Sequence, residues 1–327
     1  MDGPAVTLII VAYNSGDYLQ PCLAALAAQT LADFEVVIAD NASTDGSIAA
    51  LQLPDARFRV QDMGANLGFA AANNRVAAAS GAEFLGLVNA DTVAEPGWLD
   101  ALVSAARAHP EAASFGSVQI RMDDRTIFDG VGDVWHVAGI AWRALEGQPR
   151  RPIDDAEIMG PCAAGALYRR SDFMAIGGFD ERFFCYCEDI DLALRLRLSG
   201  RSSRRVAGAI LLHAGSGTTG RVSEFTLYHG HRNRVWTFLK NTPGLWLWLF
   251  LPYHLAANLW LIWRYRSQEG VSGILQRAYA DAWRGRAPFL RARRSGNSRA
   301  YARLLPLMAL TPWSASRRRD VAGRRVE

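Results

Sequence analysis

The chain has 327 residues, half of them hydrophobic and 21% charged, with a formal net charge of +4. These values exclude a wholly disordered chain and leave room for one large α/β domain with an appendage. The positive excess is local: Arg284, Arg286, Arg291, Arg293, Arg294, Arg299 and Arg303 follow one another without an acid, and Arg317, Arg318, Arg319, Arg324 and Arg325 crowd the end, a distribution that suits a lipid surface or a nucleic acid.

Val6–Ala12 reads as a buried strand, too short and without the basic lead of a secretory signal. A cytosolic, reducing compartment is therefore expected, with Cys22, Cys162, Cys185 and Cys187 as free thiols, and no Cys/His spacing suits a zinc site. Tyr18–Gln29 carries Leu19, Cys22, Leu23 and Leu26 at helical period. Phe34–Ala39 is a second strand ending at Asp40-Asn41, and Ser43–Ser47 offers N-cap residues for a helix through Leu51. Phe58–Gln61 reads as a short third strand, Asn66–Ala79 as a small-residue helix and Glu83–Val88 as a fourth strand. This alternation predicts parallel strands joined by right-handed crossovers. Such sheets bind ligands beyond the carboxyl ends of their strands, where Tyr13-Asn14, Asp40-Asn41 and Asp91 should meet.

Asp91 carries most weight among these, because it follows the apolar run Phe84–Val88 through Asn89-Ala90. An acid there offers an oxygen ligand to Mg2+ or Mn2+ carrying phosphates. Taken alone, it equally suits a cap for the helix that Glu95-Pro96-Gly97-Trp98 begins.

Beyond Pro110 the pattern loosens. Ala112–Ile120 reads as a strand, 121–159 is unassigned, and Met159–Tyr168 mixes small and apolar residues that suit packing near a site. Glu188–Leu198 is predicted as an amphipathic helix stopped by Gly200. Thr242–Trp263 holds Trp246, Trp248, Phe250, Trp260 and Trp263, interrupted by Pro243, Gly244 and Pro252. Its length nearly spans a bilayer, but tryptophans beside Arg264 and Arg266 suit the headgroup region. An interfacial hairpin is expected ahead of a packing helix, and a packing helix ahead of a span.

Six segments then fall in a telling order: Asp40–Ser47; Asn66-Leu67-Gly68-Phe69-Ala70 with Asn73-Asn74; Asn89-Ala90-Asp91; Gly177-Gly178-Phe179-Asp180-Glu181; Tyr186–Leu192; and His213-Ala214-Gly215-Ser216. Together they resemble family 2 inverting glycosyltransferases of the GT-A fold, most of all the bacterial rhamnosyltransferase-like branch, across about residues 5–240. The resemblance implies a Rossmann-like α/β domain over 1–240, with a mostly parallel sheet flanked by helices. Composition adds a helical, membrane-associating segment at 241–303 and a basic tail at 304–327.

The resemblance further implies a nucleotide-sugar donor, a Mg2+ or Mn2+ ion and one in-line displacement at the anomeric carbon. Asp91 matches the last acid of the family's D-x-D motif and would bind the metal; the first position is Asn89, which drops a charge but can hydrogen-bond the donor. His213 matches a late histidine and would be a second metal ligand. Asp189 aligns with the general base, and Glu188 would hold the acceptor or orient Asp189. Ala12, Tyr13 and Asn14 would meet the base and ribose, Asp40 the pyrimidine, and Asn66 with Gly68 the nucleotide, Gly68 allowing close backbone approach. The residues alone also admit turn chemistry at Asn14, Asp40 and Gly68, and acids favoured in a helix's first turn at Glu188-Asp189.

The expected activity moves a sugar, L-rhamnose from dTDP-L-rhamnose, to a lipid-linked or cell-surface glycan on the cytoplasmic face of a bacterial inner membrane. A UDP-sugar donor (GlcNAc, galactofuranose or glucose) on the same scaffold, or a non-catalytic glycan- or membrane-binding protein, are the alternatives. No G-x-G-x-x-G follows the first strand, against a dehydrogenase. Aromatics and arginines occupy separate blocks, against a nucleic-acid partner. The oligomeric state is left open.

Overall fold

The computed structural model describes residues 3–215, 223–268, 270–293, 298–311 and 320–321. Ser216, Arg294, Arg317, Arg318, Arg319, Arg324 and Arg325, singled out above, lie outside them. Strands β1 (Val6–Ala12), β2 (Phe34–Asp40), β3 (Phe58–Asp62) and β4 (Phe84–Val88) run parallel in the order β3-β2-β1-β4. Ala12 stands opposite Asp40, and Asp40 opposite Asp62, so the strand ends are level. Alternation along β1 sends Val6, Leu8 and Ile10 to one core with helix α1 (Leu19–Ala27) and Ile9 to another with α2 (Gly68–Ala79).

The helix expected from Ser43 to Leu51 is only a turn. Asp45 accepts from the Ser47 N–H and hydroxyl and from the Gly16 N–H, local bonds that compete with a helical ladder.

The chain continues through β5 (Thr92–Ala94), α3 (Trp98–Ala108), β6 (Ala112–Arg121), β7 (Phe128–Gly130), β8 (Asp133–His136), β9 (Ile140–Arg143), β10 (Ala156–Glu157), β11 (Gly165–Arg169), α4 (Arg170–Ala175), α5 (Glu188–Leu198) and β12 (Ser202–His213). The parallel strands expected from the alternation are β1–β4, and beyond them the sheet is mixed. β11 runs antiparallel between β4 and β6, whereas β6 and β12 are parallel. The unassigned stretch 121–159 supplies β7, the hairpin β8–β9 and β10.

α5 is not amphipathic as expected: it is buried on all sides, arginines included. Arg195 donates to Asp191 at 2.8 Å and to the carbonyls of Ile176 and Gly178. Arg197 reaches Glu157 and the carbonyls of Ile158, Met159 and Ser203. Buried charge persists because it is paired and hydrogen-bonded. Gly200, at φ +91°, stops the helix.

Helices α6 (Glu224–Asn241), α7 (Gly244–Arg264), α8 (Val271–Arg284), α9 (Ala287–Ala292) and α10 (Ser298–Leu304) pack on this body. Phe238, Leu247, Tyr301 and Leu304 share a core with Ile190 and Leu194 of α5, so packing crosses the border near residue 240. The hairpin expected at Thr242–Trp263 is instead one continuous helix that runs through Pro252. Proline costs the helix one N–H and leaves the flanking turns to continue.

Candidate active site

β4 turns through Asn89-Ala90-Asp91 into β5, and the Thr92 hydroxyl closes the turn on the Asn89 carbonyl at 2.7 Å. β5 pairs antiparallel with β12, which sets Thr92 opposite His213, and the Ala214 N–H donates to the Asp91 carbonyl at 3.0 Å. α3 starts after Gly97, so Asp91 caps no helix. The structure instead brings its buried carboxylate to His213, with Nε2 3.4 Å from Oδ1.

His213 Nδ1 lies 2.7 Å from Oδ2 of the fully buried Asp129. A carboxylate only accepts, so Nδ1 carries the hydrogen and Nε2 turns its lone pair to Asp91. Nε2 is buried and makes no hydrogen bond among the described residues; its contact with Asp91 is an ion-pair distance without hydrogen-bond geometry. Two facing acceptors repel unless a proton or a cation stands between them. Burial disfavours the imidazolium, yet the carboxylates of Asp129 and Asp91 on either side outweigh it and raise the pKa of His213. A divalent ion fits equally. Ligands about 2.1 Å from one ion, at octahedral to tetrahedral angles, stand about 3.0–3.4 Å apart. A carboxylate behind the histidine is the usual support for such a ligand. Arg143 of β9 pairs with Asp129, lies 3.4 Å from His213 Nδ1, and donates to Glu146 at 3.2 Å.

Asp189 opens α5. Its Oδ1 accepts from the Ile190 N–H at 2.8 Å and its Oδ2 from the Ala163 N–H at 3.4 Å. The Asn89 N–H donates to the Ala164 carbonyl at 3.0 Å, so residues 163–164 tie the Asp91 turn to Asp189. Asp133 of β8 and Cys162 bring a carboxylate oxygen and a sulfur into a group with Asp189 whose atoms lie within 4.8 Å of one another. Burial raises the pKa of Asp133 and Asp189; the Asp189 charge adds to the rise at Asp133, while N–H donors and Arg143 draw Asp189 back. Glu188 is buried beside them and is raised by burial first and by Asp189 second. Burial and the carboxylates also push the Cys162 thiol up. A thiol that resists ionisation makes this second group a poor home for Mg2+ or Mn2+. Asp133 pairs in register with Arg143, so one hairpin reaches both poles of the site.

The expected nucleotide residues line the same sheet edge, each in a turn. The buried Ala12 carbonyl accepts from the Asn41 N–H at 2.8 Å, and Tyr13 beside it is 45% exposed. Asn14, at φ +49°, accepts from the Thr44 N–H at 2.7 Å. Asp40 accepts from the Ser43 N–H at 2.9 Å, and Asn66 from the Gly68 N–H at 3.0 Å. The Asn41 amide donates to the Gly68 carbonyl at 3.1 Å and joins the two loops. Gly68 also makes a close approach within the protein. It sits at φ +80°, and a Cβ there would stand 2.5 Å from the Phe184 ring, so the missing side chain lets Phe184 pack against its backbone.

Asp129, Asp133 and Arg143 were not foreseen in the site, and Cys162 was expected only within a segment packing near it. For Asp133 and Arg143 a signal was present: Asp133–His136 and Ile140–Arg143 flank Val137-Ala138-Gly139, a short hairpin pattern. Clefts of 450 and 480 Å3 open behind α2 and beside the Asp45 turn, and neither is lined by Asp91, Asp189 or His213. Convergent chemistry, not concavity, marks the site.

Residues 7–177 match the family model described as glycosyl transferase family 2. The chain is 31% identical over 304 residues to the N-acetylglucosaminyl-diphospho-decaprenol L-rhamnosyltransferase of Mycobacterium tuberculosis, which covers 83% of this chain and 94% of that protein. Among solved structures, GalNAc-T7 with UDP, GalNAc and Mn2+ superposes with a TM-score of 0.62 at 13% identity, over 85% of this chain and 55% of its own. The mannosyltransferase PcManGT of Pyrobaculum calidifontis, with GDP-Man and Mn2+, gives 0.51 at 18% identity over 96% and 78%. These likenesses show the GT-A fold. The family match spans more than half the chain and the rhamnosyltransferase relative nearly all of its own length, so this protein is a glycosyltransferase that belongs to glycosyl transferase family 2.

Proposed function

We propose that this enzyme transfers L-rhamnose from dTDP-L-rhamnose, with inversion, to a lipid-linked glycan such as a polyprenyl-diphosphate-bound N-acetylglucosamine. The observation that carries the reading is that Asp91 and His213 at one pole and Asp189 at the other are joined through residues 163–164 and one hairpin. The choice of sugar and acceptor draws on the mycobacterial relative's name.

Asp91 and His213 would hold Mg2+ or Mn2+, and a bound ion neutralises charge on a leaving diphosphate. Asp129 fixes the His213 tautomer that leaves Nε2 available. Asn89, with Ala12, Tyr13, Asn14, Asp40, Asn66 and Gly68, frames the nucleotide along the sheet edge. Asp189 takes the acceptor hydroxyl proton while the new bond to the anomeric carbon forms and the bond to the diphosphate oxygen breaks on the opposite face. Its raised pKa brings it nearer neutrality, where a general base works best. Glu188, whose buried Oε2 has no hydrogen-bond partner among the described residues, holds the acceptor.

The acceptor's lipid is met at α7. Leu245, Trp248, Leu249, Tyr253, Leu259 and Trp260 are exposed along one side of this helix. The other side is docked: His254 hydrogen-bonds the Ala138 carbonyl and stacks on Phe238 at 4.0 Å, and Trp246 donates to Ser298. Gly244–Arg264 is long and apolar enough to cross a bilayer, but a helix docked along one side lies on the surface instead. Arg266 stacked on Trp263 and Arg286 on Trp283 supply cation-bearing aromatics for an anionic headgroup layer. Free cysteines suit the cytoplasmic face.

The test is transfer to a polyprenyl-diphosphate-GlcNAc acceptor with dTDP-rhamnose and UDP-sugars in parallel, with and without EDTA. Selective turnover of dTDP-rhamnose that chelation abolishes and Mn2+ restores is the expected result. Turnover of a UDP-sugar alone would refute the donor, and activity after exhaustive chelation would refute the metal.

A further inference from the structure

Glu188 and Asp189 follow a segment that the backbone adopts only under constraint. Phe184, Tyr186 and Cys187 all sit at positive φ, at +66°, +71° and +67°. Aromatic residues in that region are strained. Phe184, at ψ −63°, centres a γ-turn closed by the Cys185 N–H on the Phe183 carbonyl at 2.8 Å, the rarer and more strained form of that turn. Strain of this kind persists only where surrounding structure over-determines it.

The constraint comes from α6. Asn233 is fully buried there, and its Nδ2 donates to the carbonyls of Phe183 at 2.9 Å, Cys185 at 2.8 Å and Tyr186 at 2.8 Å. Two amide hydrogens thus serve three carbonyls, and Oδ1 is engaged by Arg232 Nε at 3.0 Å, which fixes the amide's orientation. A second anchor lies two turns on. Lys240, the only lysine of the chain, donates to Asp180 at 2.7 Å and to Asp191 at 2.9 Å, and Asn241 donates to Asp191 at 2.8 Å. Asp191 is two residues beyond Asp189 in the first turn of α5, so α6 grips the carboxylate pair from before and after. The same loop touches the donor side, where the Phe184 carbonyl accepts from the Ala70 N–H of α2 at 3.2 Å.

We infer that Asn233 is a positioning residue for sugar transfer: it holds the strained loop 183–187 in the one shape that aims Asp189 at the acceptor. This rests on Asp189 being the base. A displacement of about 1 Å at a reacting group can cost about a hundredfold in rate, so a loosened loop should show in turnover before it shows in donor binding.

The test uses the full chain as Asn233→Ala, Asn233→Ser and Thr237→Val. Thr237 is fully buried one turn along α6 and its hydroxyl donates only to the Asn233 carbonyl, so Thr237→Val perturbs the helix without touching the loop. For Asn233→Ala, kcat should fall at least about thirtyfold with the donor KM within about twofold. Iodoacetamide labelling of Cys185 and Cys187 should rise at least about tenfold, with the core Cys22 as internal reference. Asn233→Ser, which keeps one donor, should recover part of both, and Thr237→Val should change neither. A kcat within twofold of wild type, a loss matched by Thr237→Val, or a donor KM that rises in step with the loss in kcat would each overturn the inference. If Asn233→Ala does not fold, Asn233→Ser carries the same expectations at smaller amplitude. A wild type silent towards every nucleotide sugar would instead sink the functional reading beneath it.

Discussion

Asp129→Asn is the most direct test of the metal pole. Asp129 is fully buried and holds His213 Nδ1 at 2.7 Å. An asparagine keeps the shape but can present an N–H to Nδ1, which favours the tautomer with hydrogen on Nε2. That hydrogen would face Asp91 across the present 3.4 Å gap and remove the lone pair a cation needs. Losing the group behind a histidine ligand lowers metal affinity about 10–100-fold. At 1.36 kcal/mol per decade this is about 1.4–2.7 kcal/mol. The fold should survive. Breaking a buried pair costs about 3–5 kcal/mol when a charge is stranded, but Arg143 is 22% exposed and keeps Glu146 at 3.2 Å. The assay is the Mn2+ concentration for half-maximal transfer, with the Mn2+-induced rise in melting temperature as a binding check. The half-saturating concentration should climb about 10–100-fold, with most of the maximal rate recovered at saturation. An unchanged half-saturation point, or an equal loss of rate at every Mn2+ concentration, would refute the arrangement.

Three further outcomes are expected. His213 has a raised pKa, so its charged form between Asp91 and Asp129 stabilises the chelated protein fully below the unfolded value of about 6.5, and that stability is lost as pH climbs through the higher folded value. Melting scans in EDTA should show this decline, and saturating Mn2+, which needs neutral imidazole, should cancel or reverse it; identical slopes would contradict a shared cation site. Gly68→Ala places a Cβ 2.5 Å from the Phe184 ring at φ +80°, so denaturation should show a loss of about 1–3 kcal/mol, and an unmoved midpoint would mean the contact is not made. Trp248→Glu puts a charge on the outward side of α7, where Trp248 is 72% exposed. Co-sedimentation with phosphatidylglycerol vesicles should drop at least about tenfold with donor affinity intact, and unaltered sedimentation would remove α7 as the membrane face.

The parallel half of the sheet was legible because strands buried on both faces are nearly continuous apolar runs, as β1, β2 and β4 are. Asp91 and His213 were legible as motif residues, and register then set them side by side. What escaped depends on partners far along the chain. Arg195 and Arg197 looked like an outer helix face because nothing local shows that buried carbonyls from 158–178 await them. The helix at 43–51 looked capped, but Asp45 prefers its own neighbours. Asn233 gives no local signal at all; its three acceptors lie 47–50 residues upstream.

The β8–β9 hairpin explains how two poles with opposite needs coexist. On the proposed roles the ligand pole must draw a divalent cation, and the base pole must keep a carboxylate able to take a proton. Both are acidic, so charge alone would let the cation settle at either. Arg143 separates them. Its guanidinium neutralises Asp129 directly and acts on Asp133 and Asp189 through space, where it lowers their pKa values against burial. A fixed positive charge beside Asp133 and Asp189 opposes a second cation there, and the reluctant Cys162 thiol opposes it further. At the other pole Arg143 lies on the Nδ1 side of His213, and Nε2 faces the Asp91 carboxylate. On the proposed roles, an ion would thereby be directed to Asp91 and His213, and Asp189 would be kept free of metal for the acceptor's proton.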